Sequence, residues 1–213
     1  MSKPSSHLLD VDTQYPEALK KLFAAFEMQG EKESLKKSSV FMDLKRDAHQ
    51  LLLVEEGVIG FYRKKDRLLI HETTSPAVLG LVHLFHNADV IAVAHTALSL
   101  QRIPRDIALE IIEKQGLWRE VSLVLGRIIK GYVVRDISLV AQDAYHIVSH
   151  YLTVLMALPV EERYATTAVK FVTQRSMLSR SRVMDILKQL NTGNYILIKN
   201  GVLIELNYLP EDF

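Results

Sequence analysis

Cysteine is absent from the 213 residues, and that omission removes several kinds of chemistry. No disulfide can staple the fold, no thiolate can act as nucleophile, and no cysteine-ligated zinc or iron–sulfur cluster can form. Long apolar runs are missing too. The longest stretches fall well short of the roughly 20 residues that a membrane-spanning helix needs. Met1 to Gln14 has no apolar core like that of a secretory signal. The expectation is a soluble, cytoplasmic protein with no membrane partner. Nor is there a strong excess of charge: Lys and Arg number 26, Asp and Glu 25. The chain as a whole is not a basic coat for nucleic acid. It contains no internal repeat and no low-complexity segment.

What is present is a 48% hydrophobic chain, enough for one large domain or two modest ones. Its charge is unevenly placed. From Arg163 to Gly201 seven basic residues face one acidic residue, Asp185; that segment is +6, which leaves −5 for the rest of a chain whose net charge is +1. A basic C-terminal third on an acidic body is the asymmetry expected of a DNA-binding module with a separate partner domain.

Residues 1–13 read as a loose tail, followed by a helix from about Pro16 to Gln29 with Leu19, Leu22, Phe23 and Phe26 on one face. Between Leu35 and Ile103 short apolar and β-branched runs alternate with turn signals. Strands are expected at Ser39–Leu44, Gln50–Glu55, Val58–Arg63, Arg67–Thr73, Val90–His95 and Ala97–Ile103. Hairpin turns are expected at Glu56-Gly57 and Lys65-Asp66. This spacing suggests a compact antiparallel roll. Pro104 should open a helix carrying Ile107, Ile111 and Ile112 and ending at Gly116. A longer helix follows over 117–141. Its residues Val121, Leu125, Ile128, Tyr132, Arg135 and Leu139 recur in steps of four and three, the spacing of a coiled-coil seam. Such a seam serves a second copy or the helix's own roll. Asp143 to Leu158 reads as a further helix, stopped by Pro159.

The last fifty residues carry the functional signal. Thr167 can cap a helix from Ala168 to Gln174, Ser176-Met177-Leu178 can make a turn, and Ser179 can cap a second helix buried through Val183, Ile186, Leu187 and Leu190. Asn200-Gly201 is the strongest short hairpin signal in the chain, pairing Tyr195–Lys199 with Val202–Asn207. Helix, turn, helix and hairpin make a winged helix-turn-helix. In that geometry the second helix enters the major groove and the first crosses the backbone. Arg180 and Arg182 suit base edges, because a guanidinium can donate two hydrogen bonds to guanine. Ser179, Ser181, Asp185, Lys188 and Gln189 share the outer surface of this helix. Arg175, Lys199 and Asn200 complete the candidate DNA contacts, with Lys199 on the wing suited to phosphate. Met177 and Met184 are expected in the core of this unit.

With these residues in place, the chain resembles the CRP/FNR superfamily of bacterial regulators. Leu178-Ser179-Arg180-Ser181-Arg182-Val183 and Ile186-Leu187-Lys188-Gln189-Leu190 look like its recognition helix. A closer similarity is to the enterobacterial inhibitors of hydrogen peroxide resistance (the IprA family). It is carried by Leu117-Trp118-Arg119-Glu120, Thr173-Gln174-Arg175, Gly193-Asn194-Tyr195-Ile196 and Leu209-Pro210-Glu211-Asp212-Phe213. The resemblance implies an α+β fold divided as follows: a tail over 1–13, a cyclic-nucleotide-binding-like β-roll over 14–116, a dimerisation helix over 117–141 and a winged helix-turn-helix over 142–213. It implies a non-enzymatic regulator of oxidative-stress genes. Its homodimer contact would run along Val121, Leu125, Ile128, Tyr132 and Leu139.

Two departures limit what the resemblance carries. Ser181 and Asp185 replace an acidic and a second basic base reader, so the superfamily's best-known operator does not transfer. The stretch Gly80–Asp89 holds no arginine to grip a cyclic phosphate, and a buried phosphodiester without a cation would be uncompensated. No cyclic nucleotide is expected and no cofactor is assigned. The alternative is a cupin-like metal sensor or enzyme using His71, His83, His86 and His95. Without cysteine, any direct peroxide signal would act on methionine or through a metal.

Overall fold

The computed structural model describes residues 10–47, 49–84, 89–139 and 142–210, with the side chains of residues 83 and 84 excepted. These fall into two compact units: the chain through Asp66 with Ile70–Val133, and Arg67–Leu69 with Val134 onward.

The first unit is a double-sheet roll with helices on one face. Helix α1 runs Val11–Phe26, earlier at both ends than Pro16–Gln29. The Asp10 carboxylate starts it by accepting from the backbone N–H of Asp12 (3.2 Å) and Thr13 (3.5 Å). Pro16 therefore lies inside the helix, where its nitrogen cannot donate to the Asp12 carbonyl. Burial of Ala18, Leu19, Leu22 and Phe26 offsets that loss. Residues 11–13 thus belong to a helix rather than a tail, and residues 1–9 lie outside the described residues.

Eight strands follow: β1 Glu31–Leu35, β2 Val40–Asp43, β3 Gln50–Glu56, β4 Val58–Arg63, β5 Leu69–Thr74, β6 Ala77–Leu79, β7 Val90–Ala94 and β8 Leu98–Pro104. They form two sheets, β1-β8-β3-β6 and β2-β7-β4-β5. Glu56-Gly57 is consequently not a hairpin. It carries the chain from one sheet to the other, with Gly57 at φ +113° and so close to its neighbours that a Cβ would lie 2.5 Å from the Ala97 carbonyl oxygen. Lys65-Asp66 does join two adjacent strands. Strands β1 and β6 carry no readable period: β1 is polar and largely exposed, and β6 has three residues.

The run Leu51-Leu52-Leu53-Val54 shows why the core is layered. Strand side chains alternate between faces. Leu52 and Val54 enter the space between the sheets with Ile59, Ala92 and Leu100, whereas Leu51 and Leu53 face α1 and the helices that follow the roll. A strand buried on both faces reads as a continuous apolar run.

Helix α2 is Arg105–Gln115, with Pro104 just before it and Gly116 in the left-handed conformation closing it. Its inward residues are Ala108, Ile111 and Ile112, while Ile107 is 40% exposed. Helix α3 is Trp118–Leu139; the expected final residues, 140 and 141, lie outside the described residues. Asp12 pairs with both Arg127 (3.2 Å) and Lys130, which fixes the start of α1 against α3.

The second unit contains α4 Ala144–Met156, α5 Val160–Tyr164, α6 Ala168–Arg175, α7 Arg180–Thr192 and the hairpin β9 Ile196–Lys199 with β10 Val202–Leu206. Its core joins Val148, Leu152, Phe171, Val183, Leu187 and Leu203, among others.

Candidate nucleic-acid interface

Three local devices build the helix-turn-helix. Thr167 caps α6 through its hydroxyl, which accepts from Lys170 N–H (3.3 Å), and Ser179 caps α7 by accepting from Arg182 N–H (3.2 Å). Between them Ser176 is buried. Its hydroxyl donates to the Val172 carbonyl (2.9 Å) and accepts from Leu178 N–H (3.4 Å), so one side chain ties the end of α6 to the turn. Tyr151 on α4 donates its phenol to the Arg175 carbonyl at 2.8 Å. Burial raises the pKa of that phenol, so it remains a donor. Asp143 caps α4 by accepting from His146 N–H at 2.8 Å, and that bond, with the His146 side chain, holds its carboxyl below the usual range. The sequence pointed to Thr167 and Ser179 as caps. The roles of Ser176 and Tyr151 depend on which groups become buried neighbours, and no local pattern announces them.

The wing is attached at both ends. Asn200 (φ +52°) and Gly201 (φ +81°) turn the hairpin, as primed turns require. The Gly201 carbonyl accepts from Ala168 N–H (2.8 Å), which anchors the tip at the start of α6. The Asn191 amide oxygen accepts from Ile198 N–H (2.9 Å), which anchors β9 to the end of α7. Asn191 is a positioning residue that sequence reasoning missed, because its partner is seven residues away in a different element.

Ser179, Arg180, Ser181, Arg182, Asp185, Lys188 and Gln189 are all exposed along α7, and Lys199 and Asn200 are exposed on the wing. Arg175 differs. Its guanidinium lies 3.7 Å over the Phe171 ring, a cation–π contact, and donates to the Phe171 carbonyl. Met177 and Met184 differ from expectation as well: they are 73% and 48% exposed rather than buried. The core closes without them, since α7 already supplies Val183, Ile186, Leu187 and Leu190.

The seam expected on α3 is partly covered by its own fold. Val121 is 1% exposed inside the first unit, and Leu125 and Ile128 pack against the same cluster. Leu139 packs on the core of the second unit, and of the five only Tyr132 is exposed. From Val121 to Ile128 the four-three spacing marks a face that its own fold covers, because α1, α2 and β3 offer it an apolar surface. The uncovered apolar residues are Ile129, Val133, Val134 and Ile137, with exposures of 50–69%.

In the roll, His95 bridges Glu72 (2.6 Å from Nδ1) and Tyr62 (2.7 Å from Nε2), and His71 stacks on Phe61 with Tyr132 nearby. Both rings are thus engaged in packing and hydrogen bonding. Among the described residues no group of three or more His, Asp or Glu is placed to hold a metal ion. The His83 side chain and His86 lie outside those residues. No helix among the described residues is long and apolar enough to cross a membrane.

Comparison with known proteins agrees with this geometry. Residues 144–211 match the family model described as winged helix-turn-helix DNA binding. The inhibitor of hydrogen peroxide resistance of Escherichia coli K12 is 25% identical over 190 residues, covering 88% of each chain. The Salmonella typhimurium protein of that name is 28% identical over 163 residues, covering 76% of this chain and 78% of its own. Among solved structures, the c-di-GMP-responsive global regulator CLP of Xanthomonas campestris superposes with a TM-score of 0.73 at 13% identity, over 89% of this chain and all of that one. A CRP/FNR-family regulator from Thermus thermophilus gives 0.63 at 19% identity, over 83% and 94%. The chain is therefore similar to the inhibitors of hydrogen peroxide resistance, shares the fold of CRP/FNR regulators, and carries a winged helix-turn-helix DNA-binding domain in its last third.

Proposed function

We propose that the protein is a sequence-specific transcription regulator that grips duplex DNA as a homodimer, with α7 in the major groove and the wing on the backbone. The observation that carries this is the exposed basic surface of α7, capped at its N-terminus by Ser179 and buttressed by an anchored wing bearing Lys199. Arg180 and Arg182 stand on opposite flanks of that surface and serve as base readers. Freed N–H groups at the start of α7 and the Lys199 ammonium hold phosphates.

One such unit reads only a few base pairs, whereas two related by a twofold axis read a palindrome. The contact belongs on the apolar row Ile129, Val133 and Ile137, spaced one helical turn apart on the uncovered side of α3. Genes of hydrogen peroxide resistance are the targets in this reading, which the names of the E. coli and Salmonella relatives support.

The roll does not take a cyclic mononucleotide in this scheme. The space between its sheets is filled by Leu52, Val54, Ile59 and Leu100. Arg102, the first arginine after Gly80, already bonds Glu33 (2.6 Å), Gln50 (3.2 Å) and the Phe41 carbonyl (3.1 Å). Millimolar cyclic AMP or cyclic GMP should give no calorimetric signal.

The test is selection of preferred duplexes from a randomised pool, followed by titration of variants. Arg180→Ala should lose discrimination at one position of each half-site, by about 1–3 kcal/mol. Lys199→Ala should weaken all sequences alike and lower the salt slope by about one. An Arg180→Ala protein that binds its best site as tightly as wild type would show that α7 is not the reading helix.

A further inference from the structure

Met184 stands on an exposed flank of α7. Each residue turns a helix by roughly 100°, so Val183, Ile186, Leu187 and Leu190 set the inward direction, Ser181, Asp185 and Lys188 point away from it, and Met184 stands to the side, next to Arg180. Arg180 and Lys188 lie one turn to either side of Met184. Methionine usually fills irregular gaps in cores, yet this one is 48% exposed and does not belong to the hydrophobic cluster of its unit. A thioether is thus displayed among charged and hydroxyl side chains on the surface assigned to base reading.

We infer that Met184 is a specificity-determining residue that packs on the C5-methyl group of a thymine. The inference rests on α7 being the recognition helix. Thymine alone among the bases presents a methyl group in the major groove, whereas the other bases present hydrogen-bond donors and acceptors. An apolar side chain buries that methyl favourably. Against any other edge it would leave a donor or acceptor without a partner. The unbranched methionine chain has the reach and adaptability to do this.

The location of the thymine follows from the helix. Four residues separate Arg180 from Met184, about 6 Å along the axis, or close to two base-pair steps. The site should therefore contain a thymine within about two steps of the guanine read by Arg180. Ser181 and Asp185, which flank Met184, offer nothing that would compete for a methyl group.

The experiment uses the full-length protein and the best duplex selected from a randomised pool. Each thymine is replaced singly by deoxyuridine, which lacks only the methyl group. Wild type should lose about fourfold in affinity at one thymine of each half-site, the value of one buried methyl. Met184→Ala should be indifferent to deoxyuridine there while keeping its dependence on the guanine, and Met184→Leu should restore the sensitivity. Unchanged thermal melting of both variants would confirm that the fold is intact, as the exposure of the side chain leads one to expect. Wild-type indifference to deoxyuridine at every position, or Met184→Ala sensitivity at the same thymine, overturns the inference and leaves the DNA-binding reading standing. Failure of the wild type to select any sequence overturns both.

Discussion

Exposure decides which side chains meet DNA or solvent reagents, and it separates residues of the same type. Arg180 and Arg175 are both in the basic segment, but Arg180 is exposed on α7 while Arg175 lies over Phe171. Loss of Arg175 should therefore be felt first as loss of packing. The methionines divide in the same way. Met28, Met177 and Met184 are 82%, 73% and 48% exposed, whereas Met42 is 1% exposed between the sheets. Peroxide reaches a thioether sulfur only where solvent does. Brief treatment of the folded protein with hydrogen peroxide should give sulfoxide at the three exposed positions before Met42, read by peptide mass spectrometry. Oxidation of Met42 at the same rate would mean that the roll opens readily or is packed differently.

At the scale of the element, α3 is the informative case because it has two apolar faces. One, with Val121, Val124, Leu125 and Ile128, closes on the core of the first unit; the other, with Ile129, Val133 and Ile137, is exposed among the described residues. A charge has opposite consequences on the two. Val121→Asp would bury an unpaired carboxylate in the core, a cost of several kcal/mol, and should unfold the first unit. Ile137→Asp leaves that core untouched but would set two like charges across the proposed twofold contact, where one substitution counts twice. It should yield a folded monomer at micromolar concentration with specific DNA binding lost. Sedimentation and thermal melting of both variants distinguish the faces. A dimeric Ile137→Asp protein with intact DNA binding would remove this row from the interface.

For the whole molecule, acid stability provides a test of how the roll is packed. Burial holds the His71 imidazole below the ordinary histidine range; Arg127 acts in the same direction and Glu72 opposes it. The unfolded chain, with an ordinary value of about 6.5, then binds the proton more tightly than the folded one. The stability associated with neutral His71 is present above that value and is lost as pH falls toward the folded value. His150, also depressed by burial, adds in the same sense. Carboxylates held low by hydrogen bonds, such as Glu55 and Asp43, lose their contribution only further into acid. The melting temperature should therefore fall between pH 7 and 5.5, and fall less in His71→Phe, which keeps a ring against Phe61. Equal losses in the two proteins would show that His71 is not the group responsible.

The DNA-binding unit was legible in the sequence because its determinants are local. A cap lies within three residues of the N–H it satisfies, Asn200-Gly201 specifies its own turn, and the stripe Val183, Ile186, Leu187 and Leu190 is a helical period that the structure buries as read. Most strands of the roll were legible for the same reason, with ends shifted by one or two residues. What tertiary structure decided were matters of partnership. Glu56-Gly57 looks like any hairpin turn until β3 and β4 are assigned to different sheets. The α3 seam has the period of an interface, but an apolar period says only that a face is covered, not by what; its own α1, α2 and β3 cover it from Val121 to Ile128. Met184 scores as core by hydrophobicity, yet it is 48% exposed because four other α7 side chains already fill the inward arc. Periodicity is a property of one element, whereas burial is a property of two, and only folding brings the second into place.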